Sequence, residues 1–355
     1  MPASSVVKHP RRLLILRFSA LGDVAMTVPV VASLAAQYPQ MQITVASQPF
    51  LAPLFEHIAP NVQFFGADIR KTYRGLRGLW QLSHTTPFQD CDAVADLHDV
   101  LRTKILRCFL RLRGKHLAVI DKHRREKRLL VEHKIFRPLP TSFALYAETL
   151  ARLGLPVKLN FERLKLGGDA LHLPFPFSTD IRHEPWLGLA PFAAHEGKVY
   201  PLEQMAEVVQ LYFESHPHGR LFVFGSKKEM EMLRPTWGKG FERLVFVCDI
   251  LKGLGAELQL MARLNAMVSM DSGNMHLASL VGCPVVSIWG QTHPFAGFMG
   301  YHQAEENVVQ QDLHCRPCSI FGNAPCRYGD FRCLRDILPQ LIVDKVEEII
   351  SPEQD

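Results

Sequence analysis

No stretch of this sequence approaches the roughly 20 consecutive apolar residues that a membrane-spanning helix needs. The run near the N-terminus, Leu13–Leu16, follows Lys8, Arg11 and Arg12 and is interrupted by Arg17, which makes it too short for a signal-peptide core as well. A cytoplasmic protein is expected. Short-period repeats and low-complexity tracts are absent, which sets aside a solenoid or a globally disordered chain. The eight cysteines do not form a secreted disulfide pattern, because Cys91, Cys108, Cys248 and Cys283 are scattered among apolar segments where a reduced thiol packs as a small hydrophobe. Strong net charge is also missing, at +5 overall. The charge is unevenly placed, however. Between Leu101 and Arg137 there are 13 Lys and Arg against 3 acidic residues, so this part of the molecule is expected to meet something anionic.

At 355 residues, 47% hydrophobic and 21% charged, the chain suits two globular domains. Strand-like runs at Leu13–Phe18, Gln42–Ala46, Val62–Phe65, Ala93–Leu97 and Leu117–Ile120 alternate with helical patterns at Val24–Tyr38, Gly75–His84, Val100–Arg113 and Phe143–Leu153. A second series has strands at Trp186–Ala190, Arg220–Phe224, Leu244–Val247, Ala266–Met270 and Val285–Trp289. Its helices lie near Leu202–Ser215, Lys227–Trp237 and Asn274–Val281. Such alternation predicts an α/β fold of two Rossmann-like domains with mainly parallel sheets facing across a cleft. The limits read from the pattern are 1–165, a Gly- and Pro-rich linker at 166–185, and 186–355 with a Cys-rich loop and a C-terminal helix.

Three segments carry chemistry. The turn Ser19-Ala20-Leu21-Gly22-Asp23-Val24 joins the first strand to the first helix, and its glycine lets a ligand approach the backbone. Its spacing is not G-x-G-x-x-G, which weakens a dinucleotide reading. Taken alone, Ser19 and Asp23 also fit ordinary helix caps. The turn Met270-Asp271-Ser272-Gly273-Asn274-Met275-His276 follows another strand and opens another helix, an arrangement that favours a phosphate at the helix N-terminus. A plain cap and a surface histidine are its bland alternative. The third segment, Pro191–Lys198, leaves the first strand of the second half, and Lys198 can direct an ammonium at a diphosphate.

In this order and spacing, Leu14–Val24, Asp96-Leu97-His98-Asp99-Val100-Leu101-Arg102, Lys198 and Asp271–Ala278 resemble glycosyltransferase family 9, the ADP-heptose:lipopolysaccharide heptosyltransferases. That resemblance implies a GT-B fold and transfer of heptose, with inversion, from ADP-heptose to a lipid-linked core oligosaccharide. It makes Asp23 the general base and puts Gly22, Asp96, His98 and Arg102 on the acceptor side. Lys198, Asp271, Ser272, Gly273, Asn274, Met275 and His276 fall to the donor diphosphate, and Glu229 to the nucleoside end. Partners would be the nucleotide sugar, an anionic glycolipid and the inner membrane surface, without nucleic acid and without a required cofactor. His98-Asp99 stands where the family commonly has Gln-Gly, and Ala193-Ala194 where it commonly has hydroxyl residues. Transfer from another nucleotide sugar, or a non-catalytic polyanion- or membrane-binding role, is the alternative function.

The C-terminal cysteines, Cys315-x2-Cys318-x7-Cys326-x6-Cys333, can form a tetrahedral zinc site or remain reduced thiols in a loop. The basic stretch around Arg124, Arg125, Lys127 and Arg128 fits either a solvated face or contact with an anionic glycolipid or membrane.

Overall fold

In the computed structural model of the chain, residues 9–167, 171, 173, 184–237 and 241–351 are described, so most of the expected linker lies outside the described residues. The chain forms two compact units, residues 1–122 with 141–167 and residues 123–140 with 168–355.

The first unit is built on β1 (Arg12–Leu16), β2 (Gln42–Ser47), β3 (Val62–Gly66), β4 (Ala93–Asp96) and β5 (His116–Val119). All pair in parallel, in the order β3-β2-β1-β4-β5. Leu13–Leu16 are at most 1% exposed, which explains why β1 reads as a continuous apolar run rather than an alternating one. Its helices are α1 (Leu21–Ala25), α2 (Val28–Gln37), α3 (Gly75–Ser83), α4 (Thr86–Asp90), α5 (Leu101–Leu112) and, after the excursion to the other unit, α7 (Ser142–Ala151). The single helix expected over Val24–Tyr38 is therefore two. Pro29 has no N–H to donate and is tolerated only in a first turn, so the helix restarts there after Met26-Thr27.

Residues His123–Pro140, with α6 (Arg124–Val131), group with the second unit. A boundary at 165 assigns them to the first, but their apolar contacts say otherwise. Leu130 and Leu139 cluster with Ala296 against Phe295, Phe298 and Ile320, and the Leu139 amide donates to the Phe295 carbonyl at 2.9 Å.

The second unit has six parallel strands, β6 (Trp186–Ala190), β7 (Arg220–Val223), β8 (Leu244–Phe246), β9 (Ala266–Met270), β10 (Val285–Trp289) and β11 (Val308–Gln310), in the order β11-β10-β9-β6-β7-β8. Every residue of β6, β9 and β10 is buried. The helices are α8 (Leu202–Ser215), α9 (Lys227–Trp237), α10 (Val247–Ile250), α11 (Leu254–Met261), α12 (Gly273–Leu280), α13 (Arg332–Arg335) and α14 (Pro339–Ile350). Both sheets reverse strand order beside their first strand, next to β4 in one and β9 in the other. Open α/β sheets bind ligands at the carboxyl ends of such strands.

Candidate active site

In the first unit the chain leaves β1 at Arg17 and reaches Asp23 in the first turn of α1. The Asp23 carboxylate accepts a hydrogen bond from the Ala20 amide at 3.2 Å and pairs with Arg17, whose Nη2 lies 2.5 Å from Oδ2. Arg17 is only 6% exposed, and its Nη1 donates to the Leu97 carbonyl at 2.5 Å. Burial opposes its cationic form most strongly, but Tyr146, Asp23 and Asp96 outweigh it and the guanidinium pKa is raised. Tyr146 of α7 is fully buried beneath this pair and donates its hydroxyl to the Asp23 carbonyl at 3.2 Å. Asp23 is thus a carboxylate fixed by a buried guanidinium.

The turn after β4 meets this site. Phe18 donates its amide to His98 Nδ1 at 3.4 Å, which leaves the ring proton on Nε2, 3.3 Å from Ser19 Oγ. Burial, with Arg17, Lys122 and Arg102 nearby, lowers the imidazole pKa to about 4, so His98 is neutral at pH 7. Asp96 has no exposed surface. Its Oδ1 accepts the amides of His98 and Asp99 at 2.9 Å each, and its Oδ2 lies 3.3 Å from Arg107 Nη1, an ion pair without hydrogen-bond geometry. Asp96 therefore shapes the turn instead of facing solvent. Asp99 has a left-handed φ of 44° and pairs with Arg107 at 3.2 Å. Aspartate tolerates that conformation better than most side chains. Gly22 lies in α1 beside Asp23, and Arg102 is exposed in the first turn of α5.

In the second unit, Lys198 follows β6 and Asp271 follows β9, and β6 and β9 are hydrogen-bonded neighbours. Lys198 Nζ lies 2.9 Å from Asp271 Oδ2, again an ion pair rather than a hydrogen bond by angle. Asp271 is 3% exposed. Ser272 caps α12 in an extended conformation, with its hydroxyl 3.3 Å from that of Ser269. Ser272, Gly273 and Asn274 are half-buried, whereas Met275 and His276 are 1% and 6% exposed and turn inward. Glu229 sits in the first turn of α9 and closes a reciprocal cap. Its Oε2 accepts from the Ser226 amide at 2.7 Å and hydroxyl at 2.8 Å, while its own amide donates to Ser226 Oγ at 3.3 Å.

Several members of this site carry no sequence motif. Gly322, with φ of 73°, presses on the Lys198 stem, and a Cβ there would lie 2.5 Å from Lys198 Cγ. Gly197 is packed so closely that a Cβ would lie 2.0 Å from Gln291 Oε1. Arg316 is 4% exposed and donates to the carbonyls of Gly290 at 2.5 Å, Thr292 at 2.8 Å and Trp289 at 3.1 Å, and also to that of Gln311. It fastens the Cys-rich loop to the carboxyl end of β10. Gly197 falls within the Pro191–Lys198 segment, and in the first unit Arg17 is marked in the sequence as the charge that ends the first apolar run. The four thiols Cys315, Cys318, Cys326 and Cys333 are free. Among the described residues, no three His, Cys, Asp or Glu side chains form a group able to hold a metal ion.

Two doubly wound parallel sheets, each with a charged turn at the carboxyl ends of its inner strands, give the two-domain α/β architecture of the GT-B fold. Residues 88–324 match glycosyltransferase family 9 (heptosyltransferase), and the chain belongs to that family of enzymes. It is 26% identical over 303 residues to the lipopolysaccharide core heptosyltransferase OpsX of Haemophilus influenzae, covering 80% of each chain. To the lipooligosaccharide heptosyltransferase 2 of Campylobacter jejuni it is 22% identical, covering 94% of this chain and 97% of that one. Among solved structures, the fold is similar to that of the E. coli ADP-heptose LPS heptosyltransferase II, with a TM-score of 0.64 at 19% identity, over 97% of this chain and 100% of that one.

Proposed function

We propose that this glycosyltransferase moves a heptose from ADP-heptose to a hydroxyl of the lipid-linked core oligosaccharide of lipopolysaccharide, inverting the anomeric centre. The observation that carries the reading is the Asp23 carboxylate, held at the carboxyl end of β1 by the buried Arg17. Such a group accepts the proton of an attacking hydroxyl. A carboxylate paired with arginine is a weak base at rest, which suits a proton that moves late in an oxocarbenium-like transition state. His98, neutral and with its proton on Nε2, offers a hydrogen bond to the acceptor without adding charge beside the base. Arg102 and Gly22 belong to the same acceptor side.

The leaving diphosphate gathers negative charge as the glycosidic bond breaks. Lys198 and the backbone amides that open α12 at Gly273–Met275 meet that charge, with Asp271, Ser272 and His276 fixing the turn. These groups supply the stabilisation that the reaction needs, so the reading calls for no cofactor. Glu229 takes the nucleoside end with the cap it forms on α9. Among the described residues no helix is long and apolar enough to cross a membrane. Peripheral contact with the inner membrane surface, where a lipid-linked acceptor lies, is part of the same proposal.

The test is Asp23→Asn. It keeps the shape of the turn and removes the base, so kcat falls by roughly two to four orders of magnitude while the donor Kd stays within a few-fold. Turnover within a few-fold of the parent enzyme removes Asp23 from the mechanism.

A further inference from the structure

Two neighbouring helices of the first unit leave large apolar side chains exposed among many basic residues, with Asp68, Asp90, Asp99 and Asp121 only at the borders of the two segments. Residues 69–89, which contain α3, hold 4 Lys and Arg and no Asp or Glu. Residues 100–120, which contain α5, hold 6 and again no Asp or Glu. The helices pack side by side through Leu79, Leu82, Leu106 and Leu110, all at most 2% exposed. Their C-terminal ends are tied together. Arg113 donates to the Ser83 carbonyl and lies 2.6 Å from His84 Nε2, and His84 stacks on Trp80 with ring centroids 4.1 Å apart.

What these helices show to solvent is unusual for a soluble face. Leu76 is 67% exposed, Trp80 54% and Leu112 86%. Leu76, Trp80 and His84 follow one another at four-residue spacing on one side of α3, and Leu112 adjoins Arg113 at the tied end of α5. Arg77 and Arg111 are exposed beside them. A tryptophan and two leucines flanked by arginines match the chemistry of a headgroup layer. The aromatic ring sits at the boundary, the leucines enter the acyl region, and the guanidinium groups meet anionic phosphates.

We propose that the exposed face of α3 and α5 docks on an anionic lipid bilayer. The excess of 10 Lys and Arg over these two segments selects this occupant, since a second copy of the same basic face would repel it. The proposal deepens the reading of a lipid-linked acceptor but does not need the identity of the sugars, and it differs from one in which α6 makes the contact. Lys127 of α6 lies over the Phe298 ring at 4.3 Å, so part of that basic helix is used in packing within the second unit.

The full chain carries its own probe. Of the 4 tryptophans only Trp80 is exposed, while Trp186, Trp237 and Trp289 are 4%, 1% and 0% exposed. Vesicles of phosphatidylethanolamine with phosphatidylglycerol, without donor or acceptor, are added to the protein, with phosphatidylcholine vesicles as the uncharged control. Expected are flotation with the anionic vesicles alone, weakening as salt rises, and a blue shift of emission that Trp80→Phe removes. Leu76→Glu with Leu112→Glu changes only exposed side chains and lowers the vesicle partition roughly ten-fold or more per leucine. Arg77→Glu with Arg111→Glu abolishes the preference for anionic lipid, and Arg125→Glu with Arg128→Glu in α6 leaves binding unchanged. No flotation, flotation without a Trp80 shift, binding indifferent to the leucine pair, or loss confined to the α6 pair each overturns the proposal. Self-association by sedimentation that the leucine pair removes, with no vesicle binding, gives the face to a second copy and overturns it too. Since neither sugar substrate is present, failure here leaves the transfer reaction to be judged on its own assay.

Discussion

Replacing Lys198 by Met tests whether the 2.9 Å pair with Asp271 binds a ligand as well as holding the fold. The two side chains are 15% and 4% exposed, so the variant leaves a carboxylate buried beside an apolar stem. Removing one partner of a buried pair destabilises by about 3–5 kcal/mol, and the partial exposure of Lys198 places the expectation near 3 kcal/mol. Adding Asp271→Asn removes the orphaned charge and should return most of that stability. It cannot return the cation that meets the diphosphate, so ADP should still bind about 10- to 150-fold more weakly, equivalent to roughly 1.5–3 kcal/mol for a charged hydrogen bond. Denaturant unfolding and calorimetry with ADP, run on the single and double variants, separate the two effects. If the double variant binds ADP like the parent, Lys198 is a structural residue and the donor diphosphate lies elsewhere.

Two further variants address the shape and charge of the site. His98 has a folded pKa of about 4 against an ordinary 6.5, so the unfolded chain binds more protons between those values. Its contribution is present above about pH 6.5 and is lost as pH falls towards 4, a drop of about 3 kcal/mol that His98→Gln should remove from the pH profile of unfolding; an unchanged profile would show that the imidazole is not held neutral by its surroundings. Gly322→Ala puts a Cβ against Lys198 Cγ at a φ of 73°, and is expected to cost about 1–3 kcal/mol and to raise the donor KM. Wild-type stability and KM together would mean that the Cys-rich loop does not brace the lysine.

The strands were the most legible part of the fold, because buried parallel strands read as apolar runs. Trp186–Ala190, Ala266–Met270 and Val285–Trp289 fall where the residue pattern places them. The edge strand β11 gave no signal, being three residues with only Val309 buried. The α1–α2 break was readable from Pro29, but the apolar spacing across it suggested a continuous helix. Helix α6 was hidden by its own charge, since Arg124–Arg128 looks like a solvated run and Leu130 finds its partners more than 160 residues away at Phe295 and Phe298. For the same reason the grouping of 123–140 with the second unit could not be read locally. In the candidate site, short motifs single out Asp23, Lys198 and the Asp271–His276 turn, which lie at the carboxyl ends of β1, β6 and β9. Arg316 and Gly322 hold that turn through carbonyls and van der Waals contact, and tertiary contacts of that kind leave no spacing pattern in the chain. Asp96, at the end of β4, is put on the acceptor side only by the family resemblance, which cannot distinguish a ligand-facing carboxylate from the fully buried brace that it forms.

The central claim is the donor. Purified enzyme given a heptose-accepting lipid-linked core and, in turn, ADP-heptose, other ADP-sugars, UDP-sugars and GDP-sugars should release nucleoside diphosphate efficiently from ADP-heptose alone, with the new glycosidic bond of opposite anomeric configuration to the donor. Turnover of a UDP- or GDP-sugar in preference to ADP-heptose, or retention of configuration, would contradict the account.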